Sequence, residues 1–290
     1  MGTICFGVSS AEFRERLFEK DCWLIRGALR AEDRMGLHDI EQVLHRIEPV
    51  SPDVQLFDHG RVPEAAFTCW EMAGGAPRRR LSDGFRTLVA NGATLVLNHL
   101  EAHSDGARRL SAEVSGFSGF PTRSNAYLSF GGTGSFGPHW DTHDVFVLQL
   151  LGRKRWRVNP PTFPLPLPVQ TSRQSGLAAP ADPALDVLLE AGDVLYLPRG
   201  WWHDVTPLPE ASLHLSVGLY VPSVFDALQW LCRQVLPLEL TARRSAIDES
   251  ATASDLAVLV DALKSALGDA KTMANLRREI NGSGHSSRES

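Results

Sequence analysis

The stretch Gly137-Pro138-His139-Trp140-Asp141-Thr142-His143-Asp144-Val145-Phe146-Val147-Leu148-Gln149-Leu150-Leu151-Gly152-Arg153-Lys154-Arg155-Trp156-Arg157-Val158 decides the fold. Val145 to Leu150 is an apolar run of strand length, rich in β-branched residues. Leu151-Gly152 reads as a turn and Lys154 to Val158 as the next strand. Just upstream stands an His-x-Asp pair, His139 and Asp141. In an extended segment alternate side chains point the same way, so these two can grip one ion together. A third donor, His203, follows a proline-bounded strand in Gly192-Asp193-Val194-Leu195-Tyr196-Leu197-Pro198-Arg199-Gly200-Trp201-Trp202-His203. It has to reach the pair from a neighbouring strand, which a β-barrel or jelly roll supplies. An His-x-Asp pair alone is an ordinary polar pair; placed in a β meander with His203, it becomes the facial triad of non-haem Fe(II) oxygenases. Two imidazoles and a carboxylate on one face of an octahedron leave three positions open.

Asn125-Ala126-Tyr127 through Val158, followed by Ala191 to Tyr220, resembles the JmjC/cupin-type 2-oxoglutarate oxygenases. Within these it is most similar to the ribosomal oxygenases. The likeness extends more loosely over residues 20–220, and Cys22-Trp23-Leu24-Ile25-Arg26-Gly27-Ala28-Leu29 is similar to the first strand of that family. The resemblance implies a mainly β (α+β) fold: a double-stranded β-helix with N-terminal helices and a C-terminal helical region. It implies Fe(II) bound by His139, Asp141 and His203, with dioxygen and 2-oxoglutarate as co-substrates. It also implies Lys154 on the distal carboxylate of 2-oxoglutarate, with Asn125 and Tyr127 hydrogen-bonding to the same molecule. The expected reaction is hydroxylation of an amino-acid side chain in a protein or peptide, a ribosomal protein first. Three alternatives stay open: hydroxylation of a small molecule or biosynthetic peptide, N-methyl demethylation, and a metal-binding cupin without turnover.

Lys154 has a physical case of its own. A dicarboxylate in a dry pocket needs a cation at its far end, because an unpaired buried charge is costly. On its strand Lys154 shares a face with Trp156, while Arg153, Arg155 and Arg157 share the other. The competing reading is a solvated basic strand. If residues 141–150 formed one straight strand, Lys154 would lie too far from Asp141 to share its ligand, at about 3.3 Å per residue. The chain therefore has to bend between Asp141 and Val145.

The 290 residues are 43% hydrophobic, enough for a large core with one main domain and an appendage. The expected organisation is an oxygenase domain over residues 1–222, with a jelly-roll core at about 125–220. Helices follow over 223–275 and a disordered tail over 276–290. Helical periodicity marks 9–20, 31–48 and about 99–110, a short strand marks Thr94-Leu95-Val96-Leu97, and 49–80 and 160–183 read as irregular. Leu256, Leu259, Leu263 and Leu267 make an apolar stripe suited to a homodimer or to packing on the chain's own jelly roll. In the family, dimerisation helices precede a winged helix, for which this sequence leaves no room. A net charge of −5 argues against a direct nucleic-acid partner and suits a basic polypeptide. Cys5, Cys22, Cys69 and Cys232 form no Cys-x-x-Cys pair and read as reduced, mostly buried thiols of a cytoplasmic protein. Neither a membrane span nor a signal peptide is legible.

Several other features compete for attention. Gly132-Thr133-Gly134-Ser135-Phe136-Gly137 spells a dinucleotide fingerprint, but Pro138 and a β pattern follow where a helix would have to start. The glycines instead suit a turn at the pocket mouth. His99, Glu101 and His103 lack the metalloprotease order and read as surface residues. His143 is expected to line the pocket, with ligation as the alternative. His214 reads as a satisfied core histidine, and Arg78-Arg79-Arg80 as a solvated loop. Trp201 and Trp202 fit core packing and a channel wall equally.

Overall fold

A computed structural model describes residues 2–132, 134–246 and 249–282. The chain forms two compact units, Met1–Tyr220 and Val221–Ser290. The strands of the first are β1 (Trp23–Ile25), β2 (Val54–Phe57), β3 (Thr68–Ala73), β4 (Ala76–Leu81), β5 (Thr94–Leu97), β6 (Thr122–Phe130), β7 (Asp144–Leu151), β8 (Lys154–Asn159), β9 (Leu185–Leu189), β10 (Val194–Leu197), β11 (Trp202–Pro207) and β12 (Ala211–Leu219). Its helices are α1 (Ser10–Arg16), α2 (Leu37–Leu44), α3 (Glu64–Phe67), α4 (Asp83–Ala90), α5 (Leu100–His103), α6 (Asp105–Ser118) and α7 (Ser172–Ser175). The second unit carries α8 (Val224–Val235), α9 (Glu249–Gly268) and α10 (Ala270–Gly282).

Seven strands form one antiparallel sheet in the order β1-β10-β7-β12-β6-β5-β2, and a smaller sheet has the order β11-β8-β9. This is the cupin-type jelly roll that the sequence led us to expect. The core lies between the sheets: Val145 and Val147 of β7 and Leu195 and Leu197 of β10 pack with Trp156, Val158, Val187 and Leu189 of the small sheet. The opposite face of β7 is covered as well. Phe146 meets Phe13 of α1, Phe117 of α6 and Tyr196 in a cluster of rings with centroids 4.9–6.2 Å apart. Burial on both faces explains why β7 reads as continuously apolar rather than alternating. Gly152 makes the β7–β8 turn: its φ is +59°, and a Cβ there would lie 2.0 Å from the Ala211 carbonyl oxygen.

Several expectations change. Residues 49–80 are not irregular: β2 joins the main sheet, and β3 and β4 form a hairpin turning at Gly74-Gly75. Arg78, Arg79 and Arg80 therefore sit on a strand, with Arg79 stacked over Trp70 at 4.7 Å and Arg80 paired to Glu71 at 3.2 Å. The consecutive arginines of an exposed ribbon show no period-two pattern, which concealed it. The two expected N-terminal helices shrink to α1 and α2. The helix expected over 99–110 breaks at Ser104, whose extended backbone ends α5 and whose hydroxyl accepts from Ala107 N–H to start α6. None of the four cysteines is fully buried; Cys5 is exposed. Helix α10 runs to Gly282, past the expected start of the tail at 276, and residues 283–290 lie outside the described residues. Among the described residues no helix is long and apolar enough to cross a membrane.

Candidate metal centre

The two histidines are joined through their backbones. His139 N–H donates to the His203 carbonyl at 3.0 Å and His203 N–H to that of His139 at 2.8 Å. Asp141 is held by Gly200 N–H, which donates to its carbonyl at 3.0 Å. Gly200 (φ +86°) is crowded: a Cβ would lie 2.8 Å from the Phe163 carbonyl oxygen. The chain then bends at Thr142 and His143 before β7 begins at Asp144, as the reach of Lys154 requires.

His139, Asp141 and His203 offer ligand atoms that all lie within 4.8 Å of one another. The hydrogen-bond pattern suits a divalent cation. His139 Nδ1 donates to the Gly137 carbonyl at 2.8 Å and His203 Nδ1 to that of Trp201 at 3.1 Å. Each ring therefore keeps its Nε2 lone pair for a ligand. Burial, with His139 adding to it, pushes the His203 imidazole down to about 4, so it is neutral at pH 7. Burial raises the Asp141 carboxyl, but His203, His143 and His139 outweigh it and hold the group below its ordinary value. Two neutral imidazoles and a carboxylate are what a hard to intermediate metal ion needs. The carboxylate is 36% exposed while the His203 ring is 7% exposed, so the trio faces an open side.

That side is a cavity with about 640 Å³ of empty space, its mouth included, lined by all three residues. Lys154 and Trp156 form another part of its wall, both buried, while Arg153 and Arg155 point outward to Glu210 and Asp186. Lys154 Nζ donates to the Tyr127 carbonyl at 3.1 Å and to His214 Nδ1 at 3.0 Å, leaving one N–H for the cavity. Burial lowers the ammonium to about 7. The same burial, with Lys154 and His203 nearby, holds His214 well below its ordinary value, as an acceptor at Nδ1 must be. The His214 ring also stacks on Tyr127 at 4.8 Å.

His214 is thus satisfied, as expected of a core histidine, yet it also braces Lys154 and lines the cavity with Ser216, both on β12. Sequence reading missed this pair, although their two-residue spacing on a strand was the available signal. Tyr127 lines the cavity and Asn125 does not: its Oδ1 accepts from His99 N–H at 3.1 Å and its side chain hydrogen-bonds to the Tyr127 phenol. His143 does not line the cavity as expected. After the bend it is exposed, with its ring against Gly218, where a Cβ would lie 2.6 Å away, and it stays near enough to act on the Asp141 carboxylate. Trp201 and Trp202 are packing residues: the first lies in the core between the sheets, and the second meets Trp140 edge-on at 4.6 Å. No helix follows the glycine-rich segment; Gly134 borders the cavity, and Thr133 lies outside the described residues.

Known proteins resemble this chain in sequence and in fold. Residues 96–227 match the JmjC domain family. Ribosomal oxygenase 1 of Gallus gallus is 41% identical over 132 residues, 45% of this chain and 22% of that protein. The bifunctional lysine-specific demethylase and histidyl-hydroxylase NO66 of Drosophila persimilis is 37% identical over 114 residues, 39% of this chain and 16% of that protein. The chain thus spans a minor part of these curated relatives. YcfD, a ribosomal oxygenase from Escherichia coli, has a similar fold at a TM-score of 0.63, with 18% identity, covering 100% of this chain and 74% of that one. YcfD in complex with cobalt and 2-oxoglutarate superposes with a TM-score of 0.59 at 19% identity, covering 98% and 72%. Residues 96–227 thus match the JmjC domain family, on a cupin-type jelly roll, and in that region the chain is similar to the ribosomal oxygenases.

Proposed function

We propose that the protein is an Fe(II)- and 2-oxoglutarate-dependent dioxygenase that hydroxylates an amino-acid side chain of a protein or peptide, with a ribosomal protein the leading substrate. One observation carries the reading: the His139, Asp141 and His203 ligand atoms share a cavity with the inward ammonium of Lys154. His139, Asp141 and His203 would hold Fe(II), whose chemistry with dioxygen and 2-oxoglutarate yields succinate, carbon dioxide and one hydroxylated C–H bond. The Lys154 ammonium and the Tyr127 phenol would take the remote carboxylate, which a buried site accepts only with a cation opposite it. Trp156 (2% exposed) and the core behind it keep water from that end. The open flank beside Asp141 is where a side chain would enter. The curated relatives' names support a protein substrate, and the net charge of −5 suits a basic one.

The test is succinate release from 2-oxoglutarate with Fe(II), run against a panel of ribosomal proteins, with mass spectrometry for a gain of one oxygen. Stimulation by a polypeptide with that mass gain is expected. Turnover that no polypeptide stimulates would overturn the protein-substrate reading.

We further propose a cytoplasmic homodimer through the second unit. There Val224, Phe225 and Leu228 of α8 and Leu256 and Leu267 of α9 are exposed, at 46–88%. Sedimentation showing a monomer at micromolar concentration would remove the dimer.

A further inference from the structure

Behind Tyr127 a line of hydrogen bonds runs outward to Asp53, and no step described so far uses it. Its middle residue is His99, which follows β5 in a left-handed conformation (φ +49°, ψ +40°) that non-glycine residues rarely adopt. Asp53 precedes β2, and its carbonyl accepts from Asn98 N–H at 2.8 Å, which docks the two segments together. The Asp53 carboxylate reaches both imidazoles of the following turn: His99 Nδ1 at 2.9 Å and His103 Nε2 at 3.1 Å. An Arg123 guanidinium N–H lies 3.4 Å from His99 Nε2, so that nitrogen accepts and Nδ1–H donates to Asp53. Held in this way, His99 aims its backbone N–H at Asn125 Oδ1, 3.1 Å away.

That last contact has a direction. A backbone N–H can only donate, so it fixes the oxygen end of the Asn125 amide, and the NH2 end is left for the Tyr127 phenol. A phenol oxygen that accepts from an amide keeps its own hydrogen free to turn into the cavity. Were the amide reversed, Asn125 would take the phenol hydrogen. Tyr127 would then face any anion in the cavity with lone pairs.

We propose that Asp53 and His99 are positioning residues that orient the Asn125 amide so that Tyr127 presents a hydroxyl hydrogen to a carboxylate bound in the cavity. The inference rests on the reading above that 2-oxoglutarate lies against Tyr127, and it adds two residues outside the cavity wall to the machinery that selects an anion there. His99 and His103 read from sequence as plain surface residues, since nothing in their spacing discloses a partner 46 or 50 positions earlier.

The experiment measures two affinities by calorimetry on the full chain: Co(II) alone, and 2-oxoglutarate to the Co(II)-loaded protein. Tyr127→Phe should weaken 2-oxoglutarate about tenfold, the range for one hydrogen bond to a charged group. Asp53→Ala, His99→Ala and Asn125→Asp should each produce a comparable loss while Co(II) binds as in the wild type. Asn125→Asp is the directional variant, because a carboxylate accepts from both neighbours and must pull the phenol hydrogen away from the cavity. His99→Gly, which keeps the left-handed backbone and the N–H, should recover most of what His99→Ala loses. In a Tyr127→Phe background Asp53→Ala should cost nothing further.

A Tyr127→Phe protein with unchanged 2-oxoglutarate affinity would overturn the ligand reading, and the inference with it. A normal loss in Tyr127→Phe, with Asp53→Ala and Asn125→Asp both silent or fully additive to it, would overturn the positioning role alone.

Discussion

Replacing Lys154 by Met should remove a pH-dependent cost from the ligand-free protein, so that stability of the variant relative to the wild type declines as pH rises from neutral. Lys154 is 3% exposed, and burial lowers its ammonium from 10.5 to about 7. In the unfolded chain the group stays protonated to its ordinary value, so between pH 7 and 10.5 the unfolded state binds more protons. Stability of the wild type must then rise with pH across that window. At about 1.4 kcal/mol per pH unit, the buried ammonium costs on the order of 5 kcal/mol below pH 7, and about 2.7 kcal/mol of that is relieved by pH 9. Methionine has a similar shape and no charge, so the variant lacks the slope. It also leaves the Tyr127 carbonyl and His214 Nδ1 without their donor, about 1–3 kcal/mol each. That loss shifts the whole curve without tilting it between pH 7 and 9. The assay is urea unfolding of both proteins from pH 6.5 to 9 with chelator present. The difference between the two curves should change by about 2–3 kcal/mol in favour of the wild type on going from pH 7 to 9. Parallel curves would refute the reasoning, since they would mean that Lys154 keeps an ordinary affinity for its proton.

Four further outcomes follow from the same structure. His139→Ala or Asp141→Ala should abolish metal binding and 2-oxoglutarate turnover while leaving circular dichroism unchanged; full turnover in either would defeat the assignment. In the wild type, Co(II) at a hundred times its Kd should add about 2.7 kcal/mol of stability, reversed by chelator and absent in both variants. Arg199→Ala should destabilise by about 3–5 kcal/mol at pH 7, because it strands the fully buried Asp144 carboxylate that Arg199 contacts at 3.0 Å. Burial already raises the Asp144 carboxyl. A group raised in the folded state regains stability as pH falls through its folded value, so the deficit should shrink on acidification, which unfolding at pH 5 and 7 would check. Phe13→Ala should cost about 3–5 kcal/mol in the same assay, since its fully buried ring touches Tyr196, Phe117 and Phe146.

What the sequence disclosed depended on whether the physics was local. The Val145–Leu150 run and the alternation of Lys154 and Trp156 against Arg153 and Arg155 are period-two signals, and they located the jelly roll and the inward cation. The need for a bend after Asp141 followed from strand rise alone, and the same bend explains why His143 is not part of the cavity wall. The role of His214 was not legible, because its partner Lys154 lies 60 positions away on β8 of the small sheet, and the two meet only where the sheets face one another. The β3–β4 hairpin was hidden for a different reason: a ribbon exposed on both faces needs no hydrophobic pattern. Trp201 and Trp202 look alike in sequence, and only their alternate directions from the chain separate the core position from the ring stack on Trp140.

The reciprocal bonds between His139 and His203, and the carbonyl anchors on their Nδ1 atoms, give this centre its shape before any ion arrives. A cradle formed in advance welcomes competitors too, and nitrogen-rich donor sets favour nickel, copper and zinc over iron in the Irving–Williams order. Fidelity must therefore come from the supply of metals in the cell, and a preparation from rich medium should arrive carrying mixed ions that have to be stripped before its chemistry can be judged.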